Sequence, residues 1–324
     1  MLKVLLIGGG RIAGGFDSSR PAAPPLTHAG AYSGHGGFEL SAVVDPDLQQ
    51  QRAFMQQWGI PRGFASMAAV IGSGQRFDVV SICSPTHAHH ADAIAALKLH
   101  PRLIFCEKPI CSALVGAQDI VERCRIQGIP LAVNYSRRWD PAVKRLCGDI
   151  EARRWGQLRS VSGLYNKGVL NNGSHMFDLL HALLGPVSLV HAGPPNHDFW
   201  PDDPSIPVQL ATQGGCPVMI NCSNGGDFSL FELQLVFERA VVAMEDGGLA
   251  WRIRKAGSSP HFAGYRSLSA GEQVTGEYFQ TMSMAVANIH ECLGVKTPLA
   301  STGDTALAAH RLCDEIRVLA AACT

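Results

Sequence analysis

The residues of this 324-residue chain that could do chemistry fall into a few short clusters. The first is Gly8-Gly9-Gly10-Arg11-Ile12-Ala13-Gly14, entered directly from the apolar segment Val4–Ile7. A buried strand that empties into glycines presents free N–H groups, and the positive end of the following helix, to a pyrophosphate. Gly8 permits the tight turn. Gly10 lets backbone approach phosphate with no Cβ in the way. Ala13 takes the third, close-packing position, and Arg11 and Ile12 count with the cofactor contacts. Asp45 closes the next strand-like run, Phe38–Val44. A carboxylate there can accept both ribose hydroxyls and repels a 2′-phosphate, which favours NAD over NADP. The alternative for Asp45 is a cap on the helix after Pro46.

Two more clusters follow strand ends. Ser84-Pro85-Thr86-His87-Ala88-His89-His90 comes after Asp78–Cys83, at the edge where open α/β sheets collect ligands. Pro85 and Thr86 would shape a turn against the nicotinamide ribose, and His89 or His90 would open the next helix. The three histidines lack carboxylate or thiolate partners at ligand spacing, so no metal is expected. Cys106-Glu107-Lys108-Pro109 follows Leu103–Cys106. A Lys-Pro bond can be cis, which would turn the Lys108 ammonium into the cleft; the other reading is a surface turn with a solvated lysine. The last cluster, Gly168 to Leu180, places His175 and Asp178 on one helix face, with Asn172 or Ser174 as cap. A histidine there can take a hydroxyl proton as hydride leaves the same carbon, or it can be a core histidine bonded to Asp178. Arg137, Arg138 and Lys167 could meet the anionic group of a uronate, nucleotide sugar or sugar acid, or simply form surface ion pairs.

These clusters need elements to hold them. The first 130 or so residues alternate strand and helix: strands at Phe38–Val44, Asp78–Cys83, Leu103–Cys106 and Pro130–Asn134, with helices at Asp47–Trp58, His90–Leu99 and Ala113–Gln127. That alternation predicts a parallel, doubly wound sheet with right-handed crossovers. Gly10 and Asp45 are 35 residues apart, against about 20 in the usual pattern. The excess reads as an insertion, Phe16–Leu26, which interrupts the first helix before Thr27–Tyr32 resumes it and is placed near the cleft mouth. Beyond Trp139 come a helix at Pro141–Ile150, strands from Leu158–Tyr165 to Leu249–Arg254, one intervening helix at Ser174–Leu184, and closing helices at Tyr278–Leu293 and Thr302–Ala322 capped by Ser301 or Thr302. This predicts a mostly antiparallel sheet with helices on one face. Asp17–Leu26 and Gly193–Pro207 are expected to be surface loops. The domains are drawn at 1–134 and 135–324, with the last helix available to the first domain.

Composition narrows the function. Hydrophobic residues make up 46% and charged residues 17%, with Lys+Arg and Asp+Glu equal at 27. No basic surface for nucleic acid, no amphipathic membrane anchor and no run of membrane-spanning length is evident. Ten scattered cysteines without a CxxC suit free thiols in a reducing compartment, and the cytoplasm is the expected location.

Taken in order, Gly8-Gly-Gly10-Arg-Ile-Ala13, Asp45-Pro-Asp47, Pro85-Thr-His-Ala-His89, Glu107-Lys-Pro109, Asn134-Tyr-Ser-Arg137-Arg138-Trp139-Asp140-Pro141 and Gly173-Ser-His175-Met-Phe-Asp178 resemble the GFO/IDH/MocA oxidoreductases. The resemblance implies an N-terminal Rossmann domain and a C-terminal α+β domain. The C-terminal sheet would be open-faced and would mediate homodimers or homotetramers. It implies NAD(P)-dependent hydride transfer to or from a hydroxyl or keto carbon of a sugar-like substrate. Ser84, Pro85, Thr86, His89, Glu107 and Lys108 would then line the cofactor. Lys108 would also polarise the reacting oxygen, and His175 would be the general acid/base. Many relatives carry Asp where this chain has Asn171; Asn171 and Asn172 are counted as substrate contacts. Two other readings stay open on the same fold: a non-catalytic dinucleotide-sensing binding protein, and an NAD-cycling epimerase, lyase or hydrolase.

Overall fold

Strand β1 (Leu2–Ile7) is central to a six-stranded sheet, and Val4, Leu5 and Leu6 are fully buried in it. Helices cover both faces, so its sequence is a continuous apolar run rather than an alternation. The remaining strands are β2 (Phe38–Val44), β3 (Gly63–Phe64), β4 (Val79–Ile82), β5 (Leu103–Cys106) and β6 (Leu131–Val133). All pairs are parallel, and the order is β3-β2-β1-β4-β5-β6, the doubly wound arrangement predicted above. The crossovers carry α1 (His28–Ser33), α2 (Leu48–Trp58), α3 (Met67–Gly72), α4 (His89–Leu97) and α5 (Leu114–Ile126). The computed structural model describes residues 1–18 and 23–322.

The first crossover is not one helix. After Gly10 the chain makes a turn and a short 3-10 helix, Gly15–Asp17, and α1 starts only at His28. The His28 and Ala29 N–H groups donate to the carbonyls of Ile12 and Ala13, at 3.2 and 2.8 Å. Those carbonyls thereby receive the donors that the fourth residue onward would supply in an unbroken helix. The excursion is closed by Asp17, whose carboxylate accepts from the Leu26 N–H (2.9 Å), the Thr27 N–H (3.1 Å) and the Thr27 hydroxyl (2.5 Å). Thr27 in turn caps α1 through the Gly30 N–H. The interrupted-then-resumed helix agrees with the sequence reading. Part of the Phe16–Leu26 insertion, residues 19–22, lies outside the described residues.

The second sheet follows α6 (Pro141–Glu151), which starts with Pro141 at its first turn and Asp140 as cap. Its strands are β7 (Leu158–Tyr165), β8 (Val187–Ala192), β11 (Val208–Thr212), β12 (Pro217–Cys222), β13 (Phe231–Phe237), β14 (Ala240–Glu245), β15 (Ala250–Ser258), β16 (Arg266–Leu268) and β17 (Glu272–Thr275), with α7 (Ser174–Leu184) between β7 and β8. The path runs β16-β15-β14-β13-β7-β12-β11-β8, with β17 also on β15. Only the β7–β12 pair among these is parallel. One face packs Val161, Tyr165, Ile220 and Leu235 against Leu146 of α6 and Phe177 of α7. The other turns Leu164 and Met219 outward, 36% and 45% exposed. Gly193–Pro207, expected to be loop, instead contains a hairpin of β9 (Asn196–Trp200) and β10 (Asp203–Ser205).

Contacts divide the chain into two units, Met1–Trp139 with Phe279–Leu307, and Asp140–Tyr278 with Ala308–Thr324. A single cut at 134/135 does not describe this partition. The helix α8 (Thr281–Val295) packs Met282, Ala285, Val286 and Ile289 into the first unit. The last helix, α9 (Gly303–Ala321), is capped by Thr302, whose hydroxyl accepts from the Thr305 N–H. Ser301 instead donates to the Val133 carbonyl at 2.7 Å.

Candidate functional site

In the first unit the strand ends assemble a dinucleotide edge. Gly8 has φ +93°, and a Cβ on it would lie 2.9 Å from the Ser84 nitrogen, so the turn admits glycine alone. Its N–H donates to the Val44 carbonyl. A Cβ at Gly10 would meet nothing within 4 Å, which leaves that backbone clear for a phosphate. The close approach falls on Gly14: a Cβ there would sit 2.2 Å from Trp58 Nε1 and 2.6 Å from Phe54 Cε2 of α2. Ala13 is simply buried. Arg11 is exposed with its guanidinium 4.5 Å over the Phe16 ring, and Ile12 is half-buried.

Asp45 is buried at the end of β2. Its carboxylate accepts from the Gly9 N–H (2.8 Å), the Asp47 N–H (2.9 Å) and the Gln50 side-chain amide (2.6 Å). The cap of α2 is Asp47, which accepts from Gln49 and Gln50 N–H, so the capping alternative considered for Asp45 belongs to its neighbour. Asp45 instead ties the glycine loop to the start of α2.

At the end of β4, Pro85 is exposed and Thr86 half-buried on a 3-10 turn. The Ser84 hydroxyl donates to Asp92 at 2.6 Å. His89 opens α4, but its ring is buried rather than presented to a ligand. Nε2 lies 2.8 Å from the Ser84 carbonyl and Nδ1 2.9 Å from the Pro109 carbonyl, so the ring links the two loops. His90 pairs with Asp119 at 2.8 Å.

The end of β5 carries a buried carboxylate. Glu107 Oε1 accepts from Asn134 (2.6 Å) and from His28 Nε2 (2.9 Å), and Oε2 accepts from the Lys108 N–H at 3.3 Å. Burial alone would raise this carboxyl; the His28 and Asn134 hydrogen bonds and the Lys108 charge outweigh it and hold Glu107 below its ordinary value. His28 is fully buried against Phe105, with Nδ1 unpartnered. Lys108 is half-buried, and its bond to Pro109 is cis. Arg137 and Arg138 sit on the 3-10 turn Ser136–Trp139. Arg137 is 7% exposed, so an ion pair on the surface does not describe it.

The second unit holds the remaining cluster. Lys167 (φ +64°) and Gly168 (φ +93°) lead into a π-helical turn, Val169–Gly173, and then α7 with half-buried His175 and buried Asp178. Neither expected cap operates. Asn172 donates to the Asn166 carbonyl at 2.9 Å, and the Ser174 hydroxyl is buried and unpartnered inside the helix. The unforeseen β9–β10 hairpin holds this loop. Asp203 accepts from the Leu170 and Asn171 N–H groups, at 3.0 and 2.8 Å, and pairs with Arg317 of α9 at 2.5 Å. Asp198 accepts from the Lys167 and Gly225 N–H groups, at 2.8 and 3.0 Å. Asn171 donates to the Lys167 carbonyl at 3.1 Å.

Among the described residues no group of three or more His, Cys, Asp or Glu could hold a metal ion, and no helix is long and apolar enough to cross a membrane. The nine described cysteines are free thiols.

Residues 2–135 fit the family model described as an oxidoreductase family with an NAD-binding Rossmann fold. D-apiose dehydrogenase of Paraburkholderia graminis is 26% identical over 215 residues, covering 60% of this chain and 56% of that protein. D-glucoside 3-dehydrogenase of Escherichia coli is 28% identical over 56% of this chain and 52% of its own length. The chain thus spans about half the length of the curated relatives it matches. An oxidoreductase from Agrobacterium radiobacter, solved with NAD+, L-tartaric acid and magnesium, shares the fold at TM-score 0.78 and 18% identity, over 99% of this chain and 96% of that one. Over residues 2–135 the chain is similar to the GFO/IDH/MocA oxidoreductase family.

Proposed function

We propose that the protein is an NAD(H)-dependent oxidoreductase acting on a hydroxyl or keto carbon of a sugar or sugar derivative. One observation carries this reading: the Asp45 carboxylate closes a glycine loop whose Gly10 face is open. An adenosine ribose fits that carboxylate by displacing the Gln50 amide, and a 2′-phosphate does not. Bound NAD supplies or accepts the hydride. The chain supplies the rest. Lys108 donates a hydrogen bond to the reacting oxygen and steadies the negative charge that develops there. His175 takes up the proton in oxidation and returns it in reduction. Asn171, Asn172, Arg137, Arg138 and Lys167 are the groups assigned to substrate. Ser84, Pro85 and Thr86 are assigned to the nicotinamide side. The sugars named for the apiose and glucoside dehydrogenases support the substrate class. A cytoplasmic homo-oligomer is part of the same proposal.

The test is kinetic. Lys108→Ala and His175→Ala should each keep NAD affinity, measured by calorimetry, and lose turnover by roughly 10²–10⁴-fold. Wild-type turnover in either variant removes that residue from the mechanism.

A further inference from the structure

The hairpin that clamps the Lys167–Asn171 loop also brings aromatic surface to it. Phe199 and Trp200, at the end of β9, pack edge to face with centroids 4.9 Å apart, and stand 46% and 47% exposed. Large aromatic side chains left adjoining in water mark a binding surface more often than chance. The Lys167 ammonium lies 4.9 Å from the Phe199 ring centroid. No carboxylate among the described residues comes within ion-pair distance of it: Asp198 spends its oxygens on the Lys167, Gly225 and Ser205 N–H groups, and Asp203 spends its own on Leu170, Asn171 and Arg317. Lys167 also holds a left-handed backbone, φ +64°, uncommon for a side chain of its kind. Two hydrogen bonds impose it, from its N–H to Asp198 and to its carbonyl from Asn171. Backbone held in a sparse region by surrounding bonds is a recurrent feature of ligand clamps. Here it fixes where the lysine stem leaves the loop.

We propose that Lys167, Phe199 and Trp200 form a subsite for the carboxylate-bearing end of a sugar acid: the ring or chain carbons lie on the aromatic pair, and the ammonium takes the carboxylate. An ammonium over an aromatic face keeps donors for an incoming anion while the ring offsets part of its lost hydration. The proposal rests on the oxidoreductase reading and narrows its substrate to uronate-type sugars.

The experiment uses the full-length protein with NAD and matched pairs of neutral sugar and uronate: D-glucose with D-glucuronate, D-galactose with D-galacturonate, and D-mannose with D-mannuronate. NADH formation and saturation-transfer NMR binding are read on the same samples. At least one uronate should exceed its neutral partner about tenfold or more in kcat/KM. Lys167→Met should erase that preference, and Trp200→Ala should raise the uronate KM while kcat holds. Equal use of acid and neutral sugar in all pairs overturns the subsite. So does a preference that survives both variants, or a Trp200→Ala effect confined to oligomeric state by light scattering. Lys167-dependent uronate binding without NADH formation would instead sink the oxidoreductase reading and leave the subsite standing.

Discussion

A Cβ added at Gly10 meets no heavy atom within 4 Å, whereas one added at Gly14 sits 2.2 Å from Trp58 Nε1. The two glycines therefore differ: Gly10 borders open space, and Gly14 lets α2 approach. Gly10→Ala should leave the melting temperature nearly unchanged and weaken NAD by about tenfold or more, because its methyl projects where phosphate would lie. Gly14→Ala should cost roughly 1–3 kcal/mol of stability through overpacking against Trp58 and Phe54. Thermal melts and NAD titrations on the pair separate the effects. A destabilised Gly10→Ala with normal NAD affinity would reverse the assignment. The motif made the Gly8 turn legible. It assigned the packing role to Ala13, because the local pattern carries no information about which residue α2 will touch. His28 was invisible for the same reason: its partner Glu107 is 79 residues away.

Helix α9 carries a titratable group that the sequence reading passed over. His310 is 2% exposed, its Nδ1 has no hydrogen-bond partner, and burial, reinforced by the Arg317 charge and opposed by Asp314, lowers its pKa to about 4. An unfolded histidine titrates near 6.5. Between those values the unfolded chain binds a proton that the fold refuses, so stability falls as pH drops below 6.5. By pH 5 the loss from this one group is about 2 kcal/mol. His310→Leu should shrink the difference between urea midpoints at pH 7 and pH 5 by a corresponding amount. An unchanged difference would show that the ring is already accessible to protons in the fold.

At the same scale, long periodic elements were legible in sequence. β2 and α7 fall on their expected residues, because each is bounded by turn residues and has an unambiguous apolar period. The β9–β10 hairpin was not. Its residues are Pro- and Asp-rich and show no alternation, and it is held by Asp198 and Asp203 reaching to backbone donors some thirty positions away. Such bonds leave no periodic trace. The capping of α7 was misread for a related reason, since the π turn at Val169–Gly173 gave Asn172 a carbonyl partner before any helix began.

At the scale of the whole molecule, the second sheet has one face packed on helices and one face outward. Along β7, Ser160, Ser162 and Leu164 point outward; Met219 of β12 and Glu232 and Gln234 of β13 extend that face. Eight strands spaced about 4.8 Å apart, each showing about 17 Å of length, give roughly 600 Å² of sheet plane per copy. Two copies face to face would bury about 1,200 Å², the lower end of a stable interface. The mixture of exposed Leu164 and Met219 with polar neighbours suits an isologous contact, in which each patch meets itself about a two-fold axis. Light scattering should therefore give a dimer or tetramer at micromolar concentration. Leu164→Glu with Met219→Glu places like charges across the axis and should yield monomer, with the circular dichroism of the wild type retained. A wild-type protein that runs as a monomer at tens of micromolar, or a double variant that keeps its assembly, would leave this face to solvent and move any interface elsewhere on the surface.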